Sequence, residues 1–519
     1  MHYSSVKERY QTAKKKKHHI ETEINDAYAY TFPQVSPEKN ANEKADRALI
    51  FDATAPNAVN TLVSNLITFL IPHNSRWAEI KVRDSVAEEG IAPDQTERLE
   101  RENQRLWELI HDSNFYIAAA EAMTDCVVSG VGCMAVELNE KRNGVNYVSV
   151  PVGQLCIMEN GSGVVDTVFR THTVPCRTVC YNFKAVPQWV KKLEEKNADE
   201  PVKLVEAMLP NNDGTCHYAV YLEHDWHELD SYDTWHKPFT VFRWRKATGD
   251  VWGDSPVRQS LPDIKTLNTM VEQLLNASEF ASRGAWQTED PTLEGKQLKA
   301  GSIIISSRND ALRPIDFPGN VQVAYNDIAN LQRGVRTRLF AEQLPPADQA
   351  KGVVATAITA LQAQFFRLIA PAALRLEVEF LREIILNTVR LCGKNGLMGD
   401  YKVDGEPLHI VVESVVRRGL ELEQVTNILQ TLQLLQPFAE QAMQMINVPE
   451  LIRFIFEKTD FPSGLIADEQ QGQMMGMMQQ MMAANAQPTT QDPTAQNTVQ
   501  SVVQQLAPQL AEAAQGGTA

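Results

Sequence analysis

Apolar positions recur every three to four residues over the first quarter of the chain, which is the pattern of amphipathic helices. We predict helices at 6–30, 57–69, 98–110 and 114–126. Beyond Gly130 and Gly132 the pattern changes to short runs rich in β-branched and aromatic residues, broken by Gly, Pro, Asn and Asp. The predicted strands are 145–152, 164–171, 217–222 and 240–244, with a helical insert at 187–196. The chain therefore starts with helices and continues into a meandering sheet.

Two amphipathic helices flank a non-helical excursion in the middle of the chain. The first is predicted to begin at Ser260, with a Ser cap and Pro262 in its first turn, and to run to about Arg283. The second is predicted to stop at Pro345-Pro346. The apolar stripes are Ile264, Leu267, Val271, Leu274 and Leu275 on the first helix, and Ile328, Leu331, Val335 and Leu339 on the second. Each helix would span roughly 30 Å, with residues 284–320 and one predicted strand, 302–306, between them.

The last third of the chain is predicted to be helical before it becomes low in complexity. A loop at 347–355 leads to a long helix at 356–391 that contains Pro371, then to a strand at 408–412 and helices at 420–435 and 449–458. From Gln470 onward the chain has 13 Gln, six Met and no Lys or Arg. Such a segment cannot bury enough fixed apolar surface to order alone.

Composition narrows the class of protein. A chain of 519 residues has room for about three domains. A net charge of −16 excludes coating of nucleic acid by bulk attraction, so any DNA contact must come from local basic groups. Seven irregularly spaced cysteines favour a reducing compartment without structural disulfides. The polar start does not resemble a signal peptide, the apolar run 58–72 is too short to span a membrane, and the basic run 14–17 is explained as a solvated helix face.

Motifs for catalysis or metal binding are missing from the sequence. There is no phosphate-binding loop, no dinucleotide fingerprint, no nucleophile elbow and no zinc-protease motif. His172, Cys176 and Cys180 are spaced by four, which a zinc site could use, but the stretch is predicted to be a strand and contains Pro175, so structural roles are favoured. The His, Asp and Glu residues of 224–233 are best explained as a solvated turn between strands. We therefore predict no catalytic residues, no metal and no cofactor.

Four segments, in order along the chain, resemble portal proteins of short-tailed bacteriophages. They are NAVNTLVSNLITFLIPHNSRWAEI within 51–82, AAAEAMTDCVVSGVGCMAVE at 118–137, WGDSPVRQSLPDIKTLN at 252–268 and ESVVRRGLELEQV at 413–425. The resemblance covers about residues 5–470 and lies in the order and spacing of the set, because none of the segments is catalytic. The loop 345–354 departs from the family pattern in carrying little charge.

The resemblance implies an α+β, helix-rich portal fold with wing, stem, clip and crown, assembled as a dodecameric ring around a central channel. The wing or body would be residues 1–255, and 256–345 would hold two stem helices with the clip (284–320) between them. Residues 346–416 would form a channel loop, a long wing helix and a strand, 417–468 the crown, and 469–519 a partly disordered tail. A head-to-tail contact between identical copies closes into such a ring when its rotation divides the circle.

The function implied by the resemblance is structural. The ring would be a DNA conduit at the unique capsid vertex, for genome packaging with the terminase motor, tail attachment and DNA ejection, in a virion assembled in the host cytoplasm. Implied partners are other copies of the chain, the terminase large subunit at the clip, tail adaptor proteins, capsid and scaffolding proteins, and double-stranded DNA that passes through without sequence specificity.

Candidate residues for DNA proximity in the channel are Arg333, Arg336 and Arg338 on the second stem helix and Lys351 in the channel loop. Ordinary surface charge or pairing between subunits would explain the same residues. Two other functions are compatible with part of the pattern. Another head–tail connector or tail structural protein would explain the acidity and the helices, but not the ordered set of segments. A nuclease or packaging ATPase would need clustered carboxylates or a phosphate loop, and the sequence has neither.

Overall fold

A computed structural model describes most of the chain up to residue 412. The described residues are 3–33, 50–73, 75–81, 93–283, 286–288, 312–314, 321–341, 355–399, 402–403, 406–407, 409–412 and four isolated positions. The chain divides into two compact units, Met1–Glu423 and Gln424–Ala519. In the second unit the described positions are Ile428, Thr431, Leu451 and Phe454, each in a helix. The elements below belong to the first unit.

The helices confirm most of the sequence-based predictions. They are α1 Tyr3–Thr31, α2 Thr54–Leu70, α3 Pro93–His111, α4 Phe115–Ser129, α5 Cys176–Asn182, α6 Gln188–Lys196, α7 Pro256–Arg283, α8 Val321–Arg338, α9 Ala355–Leu376 and α10 Glu383–Lys394. A π-helical segment, Glu377–Arg382, joins α9 to α10 into one long helix. The first four helices lie within a few residues of their predicted bounds, because each buries a regular apolar face.

The strands are short, as predicted for a meandering sheet. They are β1 Ala78–Lys81, β2 Val131–Leu138, β3 Val145–Ser149, β4 Leu155–Glu159, β5 Val165–Pro175, β6 Pro201–Pro210, β7 Cys216–Leu222, β8 Glu228–Thr234, β9 Phe239–Arg243, β10 Arg245–Lys246, β11 Gly253–Asp254, β12 Trp286–Thr288, β13 Leu312–Pro314, β14 Lys402–Val403, β15 Glu406–Pro407 and β16 His409–Val412. The strand predicted at 145–152 is shorter, because a 3₁₀ turn follows at Val152–Gln154. The helix-rich α+β class is confirmed.

A five-stranded antiparallel sheet, in the order β4-β5-β6-β7-β8, has helices on both faces. Helix α1 covers one face, where Tyr10 packs against the rings of Phe169 and Trp226 at centroid distances of 5.5 and 5.4 Å. Helices α5 and α6 cover the other face through Val179 and Val190. Alternate residues of β6 and β7 point to the two faces, so each strand contributes to two separate apolar clusters.

The main core surrounds a three-stranded sheet in the order β3-β2-β9. Helix α4 and the long helix pack against it, so the first six residues of β2 are buried on both faces. Strand β1 pairs antiparallel with β16, with Ala78 opposite Val412. That pairing ties the early part of the chain to the stretch just beyond the long helix, which follows it by more than 300 residues.

The predicted start of α7 at Ser260 is wrong by one turn. The helix begins at Pro256, and Ser255 is its cap, since the backbone N–H of Arg258 donates to Ser255 Oγ at 2.9 Å. Pro256 occupies the first helical position, where its missing N–H costs nothing. Ser260 lies inside the helix and donates its hydroxyl to the carbonyl of Pro256 at 2.8 Å. A Ser shortly before a Pro occurs twice here, in Ser255-Pro256 and in Ser260-Leu261-Pro262, and the first Ser is the cap.

Three further predictions are corrected. Helix α8 ends at Arg338, before Pro345, because the chain turns at Phe340 with φ of 57°. Leu275 is 53% exposed and does not belong to the buried stripe of α7. Cys176 and Cys180 lie on α5, so the strand predicted there ends at Pro175. Several predictions fall outside the described residues. They are the strand at 302–306, the position of Lys351, most of the crown range 417–468, and the tail 469–519.

Candidate functional site

The central pair of helices α7 and α8 is held together by polar contacts as well as by its apolar stripe. Ile264, Leu267, Val335 and Leu339 are buried in the main core. Asp263, near the start of α7, forms an ion pair with Arg338, at the end of α8. The two helices therefore run antiparallel, as a chain that goes out and returns requires. The short strands β12 and β13, which lie beyond their far ends, pair with each other.

The segment at 51–52 joins both helices of the pair. Asn268 Oδ1 on α7 accepts hydrogen bonds from the backbone N–H of Phe51 at 2.8 Å and of Asp52 at 3.3 Å. Gln332 on α8 donates to the Asp52 carboxylate at 2.8 Å. Because one short segment contacts both helices, the relative position of α7 and α8 is fixed over their inner halves.

Helix α1 neutralises the basic side chains of the first half of α7. Arg258 pairs with Glu23 at 2.6 Å, and Lys265 pairs with Asp26 at 2.6 Å. Nothing in the sequence indicates that these two acids are the partners, since residues more than 200 positions apart form no local pattern. In the first half of α7 both basic side chains are therefore paired with acids of α1.

The candidate arginines of α8 fall into two groups. Arg338 is half-exposed and paired with Asp263. Arg333 and Arg336 are exposed, lie three residues apart on one face of the helix, and have no ion-pair partner among the described residues. Their position in the last turns of α8 is also favourable for the helix dipole. The structure thus places Arg333 and Arg336 on one face of α8. It engages Arg338 in an ion pair with Asp263. Lys351 lies outside the described residues.

Arg243, which the sequence analysis did not select, is the centre of the largest buried charge cluster among the described residues. Its side chain is 1% exposed, and all five of its N–H donors are used. Glu379 of the π-helical segment accepts two of them, at 3.1 and 2.8 Å. The remaining acceptors are Glu159 at 3.1 Å and the carbonyls of Val251 at 3.1 Å and Gly163 at 2.9 Å.

The two glutamates of this cluster each have a second basic partner. Lys246 pairs with Glu159 at 2.5 Å, and Arg375 with Glu379 at 2.7 Å. Burial alone would lower the pKa of Arg243. The hydrogen bonds and negative charges of Glu379 and Glu159 outweigh burial, so the pKa of Arg243 is raised. Burial raises the pKa of Glu159, but Lys246 and Arg243 outweigh it and the pKa is lowered. The cluster pairs three basic side chains with two acidic ones and joins both sheets to the long helix.

The residues considered as zinc ligands lie around the junction of β5 and α5, with His172 on β5 and both cysteines on α5. Cys176 is buried, and its thiol contacts the carbonyls of Asn197 and Ala198 at 3.2 Å. Burial lowers the pKa of His172 to about 4, with a further contribution from the charge of Arg170. No group of three or more metal-ligating side chains occurs in the described ranges. In the same part of the chain, no helix is long and apolar enough to cross a membrane.

The sequence profile of a family described as "Bacteriophage head to tail connecting protein" matches residues 4–466, which is most of the chain. The chain belongs to this family. Membership in the connecting protein family places the chain in a structural class of bacteriophage proteins and accounts for the scarcity of catalytic motifs. It also points to the phage particle as the place where the chain acts.

Two curated relatives of this connecting protein are portal proteins. The portal protein of Escherichia phage T7 is 23% identical over 292 residues, which are 53% of this chain and 52% of the relative. The portal protein of Enterobacteria phage T3 is 22% identical over 279 residues, which are 51% of this chain and 50% of the relative. The chain thus spans about half the length of the curated relatives it matches.

Two solved structures are also similar to the connecting protein. One is a chain of the neck of an empty gene transfer agent particle, with a TM-score of 0.33 and 10% identity. The match covers 72% of the connecting protein and 86% of the neck chain. The other is a chain of the virion of a native gene transfer agent particle, with the same TM-score and identity. That match covers 82% of the connecting protein and 89% of the virion chain. Scores this low add nothing to the assignment, which depends on the family profile.

Proposed function

We propose that this chain is the subunit of a phage portal, a ring that serves as the DNA conduit at the unique capsid vertex. The match to the connecting protein family over residues 4–466, with portal proteins as curated relatives, carries the proposal. The ring would take part in genome packaging with the terminase motor, in tail attachment and in DNA ejection. Twelve copies would form it, in a virion assembled in the host cytoplasm.

The antiparallel pair α7 and α8 supports the role of a stem. Two antiparallel helices that leave the main core side by side, with the paired strands β12 and β13 beyond their far ends, suit a strut beside a central bore. Residues 284–320 would then be the clip that meets the terminase large subunit and later the tail adaptors. Residues 1–255 and 346–416 would form the wing with its channel loop, and 417–468 the crown, in contact with capsid and scaffolding proteins.

Imaging of the purified full-length chain by negative-stain electron microscopy tests the proposal. We expect rings with a central hole wide enough for duplex DNA, whose mass by native mass spectrometry corresponds to twelve copies. Particles that remain monomeric at all concentrations would exclude a portal. An elongated tube or plug without a bore would favour the second candidate, another structural protein of the head–tail junction.

Arg333 and Arg336 would face the DNA, as would Lys351. Duplex DNA carries one negative charge per about 1.7 Å of its axis, so a conduit needs few positive groups if DNA is to slide. We expect that replacing Arg333 and Arg336 by Glu leaves ring formation intact but lowers the packaged DNA per particle several-fold, because repulsion opposes DNA entry. Lys351→Glu should act in the same direction. Quantitative PCR of nuclease-protected DNA measures this.

The control for the arginine variants is Lys191→Glu with Lys192→Glu, two exposed lysines on α6 that receive the same change in charge. This control should package DNA like the unaltered chain. Unchanged packaging and unchanged DNA retention in the arginine and Lys351 variants would show that these side chains are ordinary surface charge.

A further inference from the structure

Charge is divided unequally across the five-stranded sheet and the helix that covers it. Residues 204–236, which include β6, β7 and β8 from Leu204 onward, contain seven acidic residues and no Lys or Arg. Residues 7–17 of α1 contain six basic residues and one acid. In a chain with a net charge of −16, this basic stretch stands out. The acidic stretch ends in the edge strand β8, whereas the end of the basic stretch, at Lys17, lies beside β4, the opposite edge strand.

The end of the basic stretch, from Lys14 to Lys17, is fixed beside the β4 edge of the sheet, while its start lies over the middle of the sheet, where Tyr10 packs against Trp226. Helix α1 crosses the sheet from Tyr10, whose hydroxyl bonds to Thr171 of β5 at 3.1 Å, to Lys17, which donates to the carbonyl of Gly153 just before β4. Lys17 and Tyr10 face inward, so Lys14, Lys15 and Lys16 are left on the outside, all exposed. In the described part of the chain these three have no ion-pair partner, although Lys14 lies 5.9 Å above the ring of Tyr10.

The acidic stretch ends in the other edge strand, β8. Among the described residues β8 pairs with β7 alone, so its outer side is open. Glu228, Asp230 and Asp233 are exposed on it. Glu228 accepts a hydrogen bond from Ser231 at 2.5 Å, and Asp233 pairs with His217 at 2.8 Å. Neither Glu228 nor Asp230 has a basic partner in the part of the chain that the structure describes.

The exposed lysines of α1 beside β4 and the exposed acids of β8 are too far apart to form ion pairs within one copy. Strands β4 and β8 are four strand spacings apart, which is roughly 19 Å. The screening length in physiological salt is about 8 Å, so attraction across the sheet is largely lost. An open strand edge with exposed acids would protect a lone copy from edge-to-edge pairing. That explanation leaves the lysines on α1 without a role.

We propose that the lysine face of α1 (Lys14, Lys15 and Lys16) in one copy contacts the acidic β8 edge (Glu228, Asp230 and Asp233) of the next copy. The inference rests on the ring proposed above and names one of its contacts. Both halves of the contact occur on this chain at opposite edges of one sheet, which is what a head-to-tail contact requires. Complementary charges of this kind set orientation and register between partners more than raw affinity. A polyanionic partner would explain the lysines but would leave the acidic edge without a role.

Charge reversal separates the possibilities in full-length protein. One variant replaces Lys14, Lys15 and Lys16 by Glu, and the other replaces Glu228, Asp230 and Asp233 by Lys. The control replaces Lys184, Lys191 and Lys192 by Glu, three exposed lysines around α6 on the opposite face of the sheet. Sedimentation velocity gives the fraction of protein in rings, and circular dichroism checks that each variant is folded.

We expect each reversed variant alone to need about tenfold or more protein for half-maximal ring formation, since like charges then meet at every contact. The control should assemble like the unaltered chain. An equal mixture of the two reversed variants should recover rings in which the variants alternate, because each reversed face then meets an opposite charge. Ring formation by the unaltered chain should also weaken as salt is raised.

Several outcomes would overturn the contact. The reversed variants could assemble as readily as the control, or the mixture could fail to recover rings that each folded variant has lost. Rings that form normally from the Lys14, Lys15 and Lys16 variant but lose retention of duplex DNA would assign the lysines to DNA instead. If a variant does not fold, salt-independent assembly of the unaltered chain is sufficient to reject the contact. An unaltered chain that forms no rings would contradict the proposed function itself.

Discussion

Replacing Arg243 by Met should lower the free energy of unfolding by about 3–5 kcal/mol, because the substitution leaves two partly buried carboxylates without their central partner. Glu379 would lose the two hydrogen bonds from the Arg243 side chain, while the backbone N–H of residue 243, which also donates to Glu379 at 3.0 Å, would remain. Glu159 and two backbone carbonyls would also lose a donor. Arg375 and Lys246 would remain, so the loss is not that of two fully isolated charges.

Urea denaturation followed by tryptophan fluorescence measures this effect, since Trp244 and Trp252 are buried close to the cluster in sequence. Arg245→Met is the control. It removes the same charge two residues away, from an exposed side chain with no ion-pair partner in the described part, and should change stability by less than about 0.5 kcal/mol. Arg243→Lys should also destabilise, because an ammonium group cannot reproduce the two-pronged contact with Glu379. Equal stability of the Arg243 and Arg245 variants would show that the cluster contributes little.

The sequence predicted the elements of this protein better than their connections. The apolar faces of α1, α2 and α4 are regular, so their positions followed from helical spacing. The long helix was predicted at 356–391 and observed at 355–394 for the same reason. The π-helical segment inside it was not predicted. Its sequence, Glu377–Arg382, continues the apolar pattern, and its irregular hydrogen bonding depends on the sheet against which it packs.

In the candidate site, the sequence predicted only those relations between residues that lie within one helix. Arg333 and Arg336 share a face because they are three residues apart, and this could be read from the sequence. The pairing of Arg338 with Asp263 could not, since it depends on how α7 and α8 lie against each other. Arg243 and Glu379 did leave a signal. Each is a charged residue among apolar neighbours, and a charge in such a position requires a buried partner.

Replacing Gly130 or Gly253 by Ala should destabilise the junction from which α7 leaves the core. A Cβ on Gly253 would lie 2.0 Å from the carbonyl oxygen of Gly130, and a Cβ on Gly130 would lie 2.4 Å from the carbonyl oxygen of Gly253. Both contacts are with backbone, so no side-chain rotation relieves them. Gly130 also has φ of +94°, where an L side chain is strained by about 1–2 kcal/mol. We expect losses of about 2–5 kcal/mol, the larger for Gly130→Ala.

Because α7 begins at this junction, the Gly253→Ala substitution should affect ring assembly as well as stability. Ser255, the cap of α7, donates its hydroxyl to Val128 of α4 at 2.8 Å, and Arg258 donates to the carbonyl of Gly253 at 2.8 Å. A shift of Gly253 therefore moves the start of α7 relative to the core, and in the proposed ring every copy would carry the same shift. We expect Gly253→Ala to reduce the fraction of protein in rings even at temperatures where the chain remains folded.

Thermal denaturation and sedimentation velocity measure the two effects, and Gly334→Ala is the matched control. Gly334 lies in the interior of α8, and a Cβ there would meet nothing within 4 Å. The same substitution should therefore stabilise the chain by about 0.5–1 kcal/mol, because alanine has the higher helix propensity. Opposite signs for Gly253→Ala and Gly334→Ala would show that the contact at the junction, and not the loss of glycine flexibility, decides the outcome. A neutral Gly253→Ala would mean that β11 and the start of α7 can move away from β2 without cost.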